Sequence, residues 1–157
     1  MDKTARILIV DDDENIRRVL AAILEDEGYS VESVGTAKKG IEKSETDFFN
    51  LALLDVRLPD MEGIELLAKL RETKPKMRKI IITGYPTLQN AMGAVNQGAD
   101  AYVTKPFDIE KMLKTIEEQL KKQEEERSFS ELKVAEFIET RVKELETIDQ
   151  QAIRKPR

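Results

Sequence analysis

Five short runs of aliphatic and β-branched residues alternate with segments of helical periodicity over the first two thirds of the 157-residue chain. The first, third and fourth runs are apolar at consecutive positions, which is typical of strands that are covered by helices on both faces. Strands that alternate with helices pair in parallel through right-handed crossovers. The pattern therefore predicts an α/β fold, a doubly wound sheet of five parallel strands with helices on both faces. The predicted strands are Arg6–Val10, Tyr29–Val34, Leu51–Asp55, Lys79–Thr83 and Ala101–Thr104.

Apolar residues at spacings of three and four predict helices between and after these strands. The helix between Thr36 and Thr46 has the weakest pattern, which is carried mainly by Ala37, Gly40 and Ile41. The four stronger stripes comprise Ile16, Val19, Leu20, Ile23 and Leu24; Leu66, Leu67 and Leu70; Leu88, Ala91, Met92 and Val95; and Ile109, Met112, Leu113, Ile116 and Leu120.

Cap and turn residues lie where this interpretation requires them. Gly28 and Gly98 follow two of the stripes, and glycine is favoured directly after a helix C-terminus. Asp13 is a candidate N-cap or first-turn residue of the first helix, where a carboxylate interacts favourably with the helix dipole. The prolines that fall in predicted loops are Pro59, Pro86 and Pro106.

The composition excludes several classes of protein. The chain contains no histidine and no cysteine, so it cannot build a Ser-His-Asp centre, a disulfide, or a zinc, haem or iron–sulfur site based on these ligands. Its longest apolar runs, 7–10 and 51–54, are far shorter than the roughly 18 to 20 residues of a membrane span. The 31 acidic and 26 basic residues include no basic block, which disfavours nucleic-acid binding. We therefore expect a cytoplasmic protein that does not act on membranes or directly on nucleic acid.

Polar residues stand at the ends of four of the predicted strands. Asp11 and Asp12 follow the first strand, Asp55 ends the third, Thr83 ends the fourth and Lys105 follows the fifth. Because the carboxyl ends of parallel strands meet at one edge of a sheet, we expect these side chains to converge. Three ionised carboxylates about 5 Å apart repel by roughly 3 kcal/mol per pair at an effective dielectric constant near 20. Such a cluster should show a raised pKa or bind a cation, and its oxygen ligands suit Mg²⁺, or alternatively Mn²⁺.

The same set of residues suits phosphoryl transfer. Asp55 is the natural nucleophile, because a carboxylate can attack phosphorus and form an acyl phosphate. Lys105 and Thr83 are suited to contact the oxygens of the transferred group. An acidic pair after a strand is often only a loop with a helix N-cap, but the joint placement at four strand ends favours a functional site.

Other phosphate chemistries have little support. The chain has neither a Gly-x-x-x-x-Gly-Lys-[Ser/Thr] loop nor a Gly-x-Gly-x-x-Gly motif. The Asp-x-Asp at 11–13 is superficially that of haloacid-dehalogenase-like phosphatases, which also need a cap and further acidic positions that so short a chain hardly accommodates.

Four motifs of the chain resemble the receiver domain of two-component response regulators. The resemblance extends from Thr4 to Lys121, in order and with suitable spacing, and it implies the strand order 2-1-3-4-5. It implies that Asp55 accepts a phosphoryl group from the phosphohistidine of a sensor histidine kinase or a phosphotransfer protein, so that the chain needs no histidine of its own. The motifs are Ile7-Leu8-Ile9-Val10-Asp11-Asp12-Asp13, Leu53-Leu54-Asp55-Val56-Arg57-Leu58-Pro59-Asp60-Met61-Glu62-Gly63, Ile81-Ile82-Thr83-Gly84 and Ala101-Tyr102-Val103-Thr104-Lys105-Pro106-Phe107.

The resemblance also implies a set of Mg²⁺ ligands. Asp12 would bind the ion directly together with Asp55, Asp11 would assist through water, and the backbone carbonyl of Arg57 would complete the protein ligands. The Arg57 side chain stands two residues after the acceptor, at a position that tunes hydrolysis of the acyl phosphate in this family.

Thr83, Lys105 and Tyr102 have phosphate-binding and switch roles by the same resemblance. Thr83 and Lys105 would hold the phosphoryl oxygens, and Tyr102 would turn inward as Thr83 moves towards the phosphate. The alternative for Tyr102 is a half-buried strand aromatic with no switch role. A downstream protein target would recognise the change at the surface around the fourth helix, fifth strand and fifth helix. Beyond its own phosphorylation and slow dephosphorylation, the chain would catalyse no reaction and would not be an enzyme.

The composition changes after Lys121, which predicts a receiver domain at 1–121 and a charged helical extension at 122–157. Residues 123–157 include 9 acidic and 7 basic side chains and no glycine, so this segment cannot form a core of its own. Its net charge of −2 disfavours DNA binding. Ala135, Ile138, Val142 and Leu145 are spaced as in a coiled-coil seam. A dimerisation or packing helix and a solvated charged helix therefore remain as alternatives.

Two classes of function follow from these observations. The favoured one is a module whose interactions with proteins are controlled by phosphorylation, without a DNA-binding output domain. The alternative is an adaptor that uses the same fold as a docking surface independently of phosphate. The complete set of acidic, threonine and lysine residues argues against the adaptor, for which clustered like charges would have no use.

Overall fold

Parallel strands and helices alternate along the chain. The protein is represented by a computed structural model that describes residues 5–84 and 88–154, with the side chains of all of these except 88–91 and 150–154. Contacts divide the chain into two units, Met1–Gln123 and Glu124–Arg157. The strands are β1 (Arg6–Val10), β2 (Ser30–Val34), β3 (Leu51–Asp55), β4 (Arg78–Thr83) and β5 (Ala101–Thr104), and the helices are α1 (Glu14–Asp26), α2 (Ala37–Thr46), α3 (Gly63–Lys69), α4 (Leu88–Asn96) and α5 (Ile109–Arg154).

The five strands form one all-parallel sheet in the order β2-β1-β3-β4-β5. This confirms the predicted fold and strand order, and the strand bounds differ from the predicted ones by one residue at the start of β2 and of β4. The strand order reverses between β1 and β3, because β2 lies on one side of β1 and β3 on the other. Ligands of such sheets bind at the carboxyl ends of the strands beside this reversal.

Two apolar cores cover the two faces of the sheet. Side chains alternate along a strand, so Ile7 and Ile9 of β1 lie in one core and Leu8 and Val10 in the other. The first core also contains Leu20 and Leu24 of α1 and Met112, Ile116 and Leu120 of α5, and the second contains Leu66 and Leu67 of α3. Burial of each such side chain stabilises the fold by about 1.5–3 kcal/mol.

Local signals in the sequence set several helix ends. The Asp13 carboxylate caps α1 by accepting hydrogen bonds from the backbone N–H groups of Asn15 at 2.9 Å and Ile16 at 3.3 Å. Gly28 and Gly98 both have positive φ angles, of 99° and 100°, as helix C-termini favour. These predictions are confirmed, as is the weakly patterned helix α2.

The predicted apolar stripe of α4 is wrong where the structure describes it. Met92 and Val95 are 56% and 66% exposed, whereas Ala94 is buried and Gly93 lies against Ile64. Small residues face inward because they let the helix approach its neighbours closely, and apolar residues on more than one side of α4 made the spacing ambiguous. The side chains of Leu88 and Ala91, together with Thr4 and Pro86, lie outside the described residues.

The unit Glu124–Arg157 is helical over its described part. The large apolar side chains that the structure describes in this unit are at least 47% exposed: Phe129, Leu132, Val134, Phe137, Ile138, Val142, Leu145 and Ile148. The boundary after Lys121 and the role of the segment stay predictions. Among the described helices, α5 included, none combines the length and the apolar character that crossing a membrane demands.

Candidate functional site

The turn after β1 carries the first two carboxylates of the candidate site. Asp11 extends the pairing of β1, because its N–H donates to the Val34 carbonyl at 3.1 Å. Its side chain is buried, with 3% of the residue exposed, and its Oδ1 accepts the Asp13 N–H at 2.9 Å. Asp12 is exposed. The turn therefore presents one buried and one accessible carboxylate at the edge of the sheet.

Asp11, Asp12 and Asp55 form an acidic cluster. One carboxylate oxygen from each of the three lies within 4.8 Å of the others. At this separation two ionised carboxylates repel by roughly 3 kcal/mol at an effective dielectric constant near 20, as expected from the sequence. The donor set is entirely oxygen and one of its members is open to solvent, which fits Mg²⁺ or Mn²⁺ and does not fit a soft metal.

Asp55 contributes the third carboxylate of this cluster. It ends β3, is 9% exposed, and its Oδ1 accepts the Arg57 N–H at 3.3 Å. Burial and the charge of Asp11 raise the pKa of Asp55, while the Lys105 charge and the Arg57 hydrogen bond oppose this effect. The negative charge at this position is therefore incompletely compensated by the protein.

Lys105 supplies the cation that faces the cluster. Its Nζ lies 3.0 Å from Asp11 Oδ2 and 3.5 Å from Asp55 Oδ2. Burial alone would lower the pKa of Lys105, but its hydrogen bond and charge interaction with Asp11 and its interaction with Asp55 raise it. The lysine is thus charged at neutral pH. Its backbone N–H donates to the Thr83 carbonyl at 2.6 Å, which ties the ends of β4 and β5 together.

Thr83 and Tyr102 are neighbours at the side of this cluster. Thr83 ends β4, is 1% exposed, and lies one residue beyond Ile82, the partner of Asp55 in the sheet register. The Tyr102 hydroxyl is buried. Burial raises the pKa of Tyr102, and the interaction of its hydroxyl with the Thr83 side chain opposes this. Tyr102 is therefore turned inward, close enough to the predicted phosphate-binding threonine for that side chain to affect its pKa.

The loop after Asp55 depends on a glycine that sequence reasoning left without a role. The Gly63 N–H donates to the Val56 carbonyl at 2.6 Å. A Cβ at Gly63 would overlap the Asp55 carbonyl oxygen and would lie 2.8 Å from the Val56 Cα. Arg57, whose side chain is exposed, pairs with Glu62 in an antiparallel bridge across this loop. Gly63 is the last residue of the second quoted motif, which begins at Leu53, and this was the only signal of its importance.

Asp60 is a second residue of this loop whose role was not predicted. Its two carboxylate oxygens accept the backbone N–H groups of Ala37 and Lys38, both at 2.9 Å. These two hydrogen bonds, that of Lys38 first, lower the pKa of Asp60. Asp60 thus connects the loop after β3 to the start of α2, over a sequence distance that no local pattern reveals.

The structure brings four of the predicted site residues together: Asp11, Asp12, Asp55 and Lys105. Thr83 and Tyr102 form an adjacent pair, and Arg57 contacts Asp55 through its backbone N–H. The ligand role of the Arg57 carbonyl, and the metal, phosphate and switch roles of the others, stay predictions.

Residues 7–117 match the family model of the response regulator receiver domain. The chain is 41% identical over 110 residues to the uncharacterized transcriptional regulatory protein YkoG of Bacillus subtilis, covering 70% of this chain and 48% of that protein. It is 36% identical over 118 residues to the response regulator ArlR of Staphylococcus saprophyticus, covering 75% of this chain and 53% of that protein. The chain thus spans about half the length of these curated relatives.

One solved structure is similar to this chain over nearly the whole length of the solved protein. The crystal structure of a CheY-like response regulator receiver domain protein from Methanospirillum hungatei is 51% identical, with a TM-score of 0.75, and the match covers 78% of this chain and 98% of that one. The sheet order, the position of the acidic cluster and these matches lead to one conclusion: the chain belongs to the response regulator receiver domain family of two-component systems.

Proposed function

We propose that Asp55 accepts a phosphoryl group from the phosphohistidine of a sensor histidine kinase or a phosphotransfer protein. A carboxylate oxygen of Asp55 forms a bond to phosphorus as the phosphorus–nitrogen bond of the donor breaks, and the donor imidazole takes the bonding electron pair. The observation that carries this proposal is the buried Asp55 carboxylate, which lies within 4.8 Å of two further carboxylates and 3.5 Å from the Lys105 ammonium. The chain has no histidine, so the donor residue belongs to the partner.

The acidic residues fit a divalent cation as the cofactor of this reaction. Asp11, Asp12, Asp55 and the backbone carbonyl of Arg57 are the residues that would hold Mg²⁺, with Mn²⁺ as a substitute. When bound, the ion supplies positive charge for the oxygens of the transferred group. Lys105 Nζ, which is already within ion-pair distance of Asp55, donates to an oxygen of the same group.

Phosphorylation then shifts the chain between two conformations, in our proposal. The Thr83 hydroxyl binds the phosphoryl group, which changes its contact with Tyr102 and so the surface around α4, β5 and α5. The effect of the Thr83 side chain on the pKa of Tyr102 supports this coupling, because a movement of Thr83 must alter the surroundings of the Tyr102 hydroxyl. The output is binding to a downstream protein. We propose no further enzymatic activity and no direct nucleic-acid binding by these residues. We also propose a cytoplasmic location, with which the lack of cysteine is compatible.

The test is incubation of the full chain with Mg²⁺ and a small-molecule phosphodonor, followed by intact mass measurement. We expect one added phosphoryl group on the wild type and none on Asp55→Asn, which keeps the shape of the side chain and removes the nucleophilic charge. Equal modification of the two proteins would contradict the assignment of Asp55. No modification of the wild type, either by the small donor or by a phosphorylated kinase, would favour the phosphate-independent adaptor.

The Arg57 side chain is proposed to change the lifetime of the phosphorylated state. It is exposed on the loop directly after Asp55, where a guanidinium can screen the phosphoryl group or obstruct water. We expect Arg57→Ala to alter the decay rate of the phosphoprotein, measured by intact mass over time. Equal decay rates would remove this role.

The helical unit Glu124–Arg157 is proposed to pair with the same unit of a second copy. Ile138, Val142 and Leu145 are 56%, 47% and 53% exposed and follow a heptad spacing. In this register Val142 occupies an a position and Leu145 a d position. This combination favours a parallel coiled coil of two helices. Arg141 then lies at g and faces Glu146 at e of the other copy, so opposite charges meet twice in the symmetric pair.

Mass in solution separates this dimer from a solvated single helix. We expect Ile138→Asp with Leu145→Asp to convert dimers into monomers, and Leu132→Asp, which lies away from the a and d positions, to leave dimers intact. Exchange of the charges in Arg141→Glu with Glu146→Arg should also preserve the dimer. A wild-type monomer at high concentration would contradict the proposal.

A further inference from the structure

The guanidinium of Arg17 connects α1 to the backbone of the acidic turn. Its Nη1 donates a hydrogen bond to the backbone carbonyl of Asp11 at 2.7 Å. This carbonyl belongs to the peptide group that joins Asp11 to Asp12, two of the three members of the acidic cluster. A hydrogen bond to it restrains the relative orientation of the two residues.

Gly35 provides the space in which this guanidinium lies. A Cβ at Gly35 would be 3.0 Å from Arg17 Nη1, 3.5 Å from its Cζ and 3.8 Å from its Nη2. Gly35 directly follows Val34, whose carbonyl accepts the Asp11 N–H at 3.1 Å. The end of β2 therefore supports Asp11 in two ways, through its own carbonyl and by leaving room for the arginine.

Both backbone polar groups of Asp11 are thus held by groups outside the acidic cluster. Carboxylates that bind a cation are preorganised when their own positions are fixed by such surrounding hydrogen bonds. We propose that Arg17 is a positioning residue, which fixes the Asp11–Asp12 peptide so that the two carboxylates are preorganised for a divalent cation. This inference rests on the proposed function, since it concerns the same acidic cluster.

The charge of Arg17 and its hydrogen bond to the peptide would change cation affinity in opposite directions. If the guanidinium acted only through its charge, its removal would leave the cluster more negative and would tighten Mg²⁺ binding. If it acts by holding the peptide, its removal weakens binding, because the carboxylates must then be ordered when the ion binds. The sign of the change therefore distinguishes the two explanations.

Arg18 offers a matched control on the same helix. Its side chain is 75% exposed and its Nη2 pairs with Glu14 Oε1 at 2.9 Å. Arg18→Ala removes the same charge and the same residue type one position along α1. Among the described residues, the hydrogen bond to the Asp11 carbonyl comes from Arg17 and not from Arg18.

The experiment measures Mg²⁺ affinity of the full chain by isothermal titration calorimetry, with Mn²⁺ binding by electron paramagnetic resonance as a second readout. We expect Arg17→Ala to weaken binding about 10-fold, the low end of the effect seen when surrounding groups of metal ligands are removed. Arg18→Ala should retain wild-type affinity. Arg17→Lys, which keeps the charge and one donor, should lie between Arg17→Ala and the wild type.

Gly35→Ala is the second variant, because it leaves the arginine in the chain. The φ angle of Gly35 is not in the left-handed region, so alanine changes the space available to the guanidinium and not the backbone preference. We expect Gly35→Ala to weaken Mg²⁺ binding, and the double variant with Arg17→Ala to bind no more weakly than Arg17→Ala alone. Thermal unfolding without Mg²⁺ checks that the single variants are folded.

The phosphorylation kinetics supply a readout that a general loss of structure would not reproduce. In Arg17→Ala the Mg²⁺ concentration that gives half of the maximal rate should rise about 10-fold, while the rate at saturating Mg²⁺ returns to that of Arg18→Ala. Unchanged or tighter Mg²⁺ binding in Arg17→Ala would overturn the positioning role and leave the proposed function intact. A wild-type chain that binds neither Mg²⁺ nor Mn²⁺ would overturn both.

Discussion

Buried charged residues lie at both ends of the sheet, but their partners differ. At the carboxyl end, three carboxylates lie within 4.8 Å of one another and face one ammonium group, that of Lys105. At the amino end, one carboxylate pairs with one guanidinium, and a backbone carbonyl binds an ammonium group whose pKa is lowered by burial. The Asp100 carboxylate accepts a hydrogen bond from Arg78 Nη1 at 3.0 Å and from the Lys79 backbone N–H at 2.9 Å, and Lys79 Nζ donates to the Leu67 carbonyl at 2.8 Å.

The amino end also uses neutral hydrogen bonds to hold α5 to the sheet. Gln123 is 4% exposed, and its Nε2 donates to the carbonyls of Asn50 at 2.9 Å and Lys76 at 2.8 Å. Its Oε1 accepts the Asn50 side-chain amide at 3.1 Å. These contacts connect α5 to the residues just before β3 and β4, so this end of the sheet serves the stability of the fold.

The difference teaches how to separate structural from functional charge within one sheet. At the amino end the charged groups bind protein groups of opposite polarity, whereas like charges adjoin one another within 4.8 Å at the carboxyl end, which indicates a cation that the protein alone does not supply. The pKa of Asp55 is raised by burial and by Asp11, although Lys105 is present. The carboxyl end therefore fits the proposed cation and phosphoryl group, at some expense of stability.

The largest expected effect is at the amino end, where Asp100→Ala removes the carboxylate that binds the Arg78 guanidinium and the Lys79 backbone N–H. Side chains of the Arg78–Asp100 pair are only 10% and 16% exposed, so loss of one partner should lower the free energy of unfolding by about 3 kcal/mol. Urea denaturation measures this change in the free energy of unfolding. Magnesium affinity should not change, and a parallel loss of both quantities would show that the two ends are not independent.

The next largest effect concerns the backbone at the carboxyl end of the sheet. Gly63→Ala introduces a Cβ that overlaps the Asp55 carbonyl, and the resulting displacement should cost about 2 kcal/mol. It should also reduce the rate of phosphorylation of Asp55. Gly84→Ala is the control, because among the described residues its Cβ would meet the Lys105 Cβ alone, at an ordinary 3.8 Å. Similar losses in the two variants would show that close packing behind Asp55 is unimportant.

A smaller effect of opposite sign is expected for Asp55→Asn. Removal of one negative charge should stabilise the chain by about 1 kcal/mol at neutral pH without divalent cations, since it relieves the repulsion within the cluster. Urea denaturation of both proteins measures the difference, and saturating Mg²⁺ should reverse it, because the ion stabilises only the folded wild type. A destabilised Asp55→Asn in cation-free buffer would show that Lys105 fully compensates the cluster.

The pH dependence of this difference has a definite sign. Folding raises the pKa of Asp55 above its ordinary value of 3.8, so between the two pKa values the folded chain binds more protons than the unfolded chain. The contribution of Asp55 to stability is fully present below 3.8 and is lost as the pH rises through the folded pKa. The advantage of Asp55→Asn should therefore grow over this window and then become constant.

The residues at the strand ends could be predicted because two simple rules combine there. Apolar runs such as Ile7–Val10 identify strands, and parallel strands have their carboxyl ends at one edge, so Asp11, Asp55 and Lys105 had to be close. The quoted motifs then supplied the strand order. Side-chain orientation has no such rule, and the inward position of Tyr102 depends on the packing around it.

The residues that the sequence did not reveal act through contacts between distant segments. Asp60 caps the start of α2, which lies more than 20 residues before it, and Arg17, which binds a carbonyl six residues before it, lies in space left by Gly35 after β2. Nothing in the local pattern around either residue specifies its partner. The α4 error has the same origin, since the face that a helix buries is chosen by its neighbours when apolar residues lie on more than one side.

The smallest predicted effect tests whether partners, and not location, divide structural from functional charge. Asp60 lies in the loop at the carboxyl end, yet both its oxygens accept backbone N–H groups of α2, which lower its pKa below the ordinary 3.8. Its contribution to stability is present above 3.8 and is lost as the pH falls through the folded pKa. Asp60→Asn should be slightly less stable than the wild type at neutral pH, and denaturant unfolding at decreasing pH should show the two proteins converging.

Glu62→Gln is the control, because Glu62 precedes α3 without a side-chain capping hydrogen bond. If Asp60→Asn were instead more stable, like Asp55→Asn, then every carboxylate at this end would add to one shared repulsion, and location would decide the role of a charge after all.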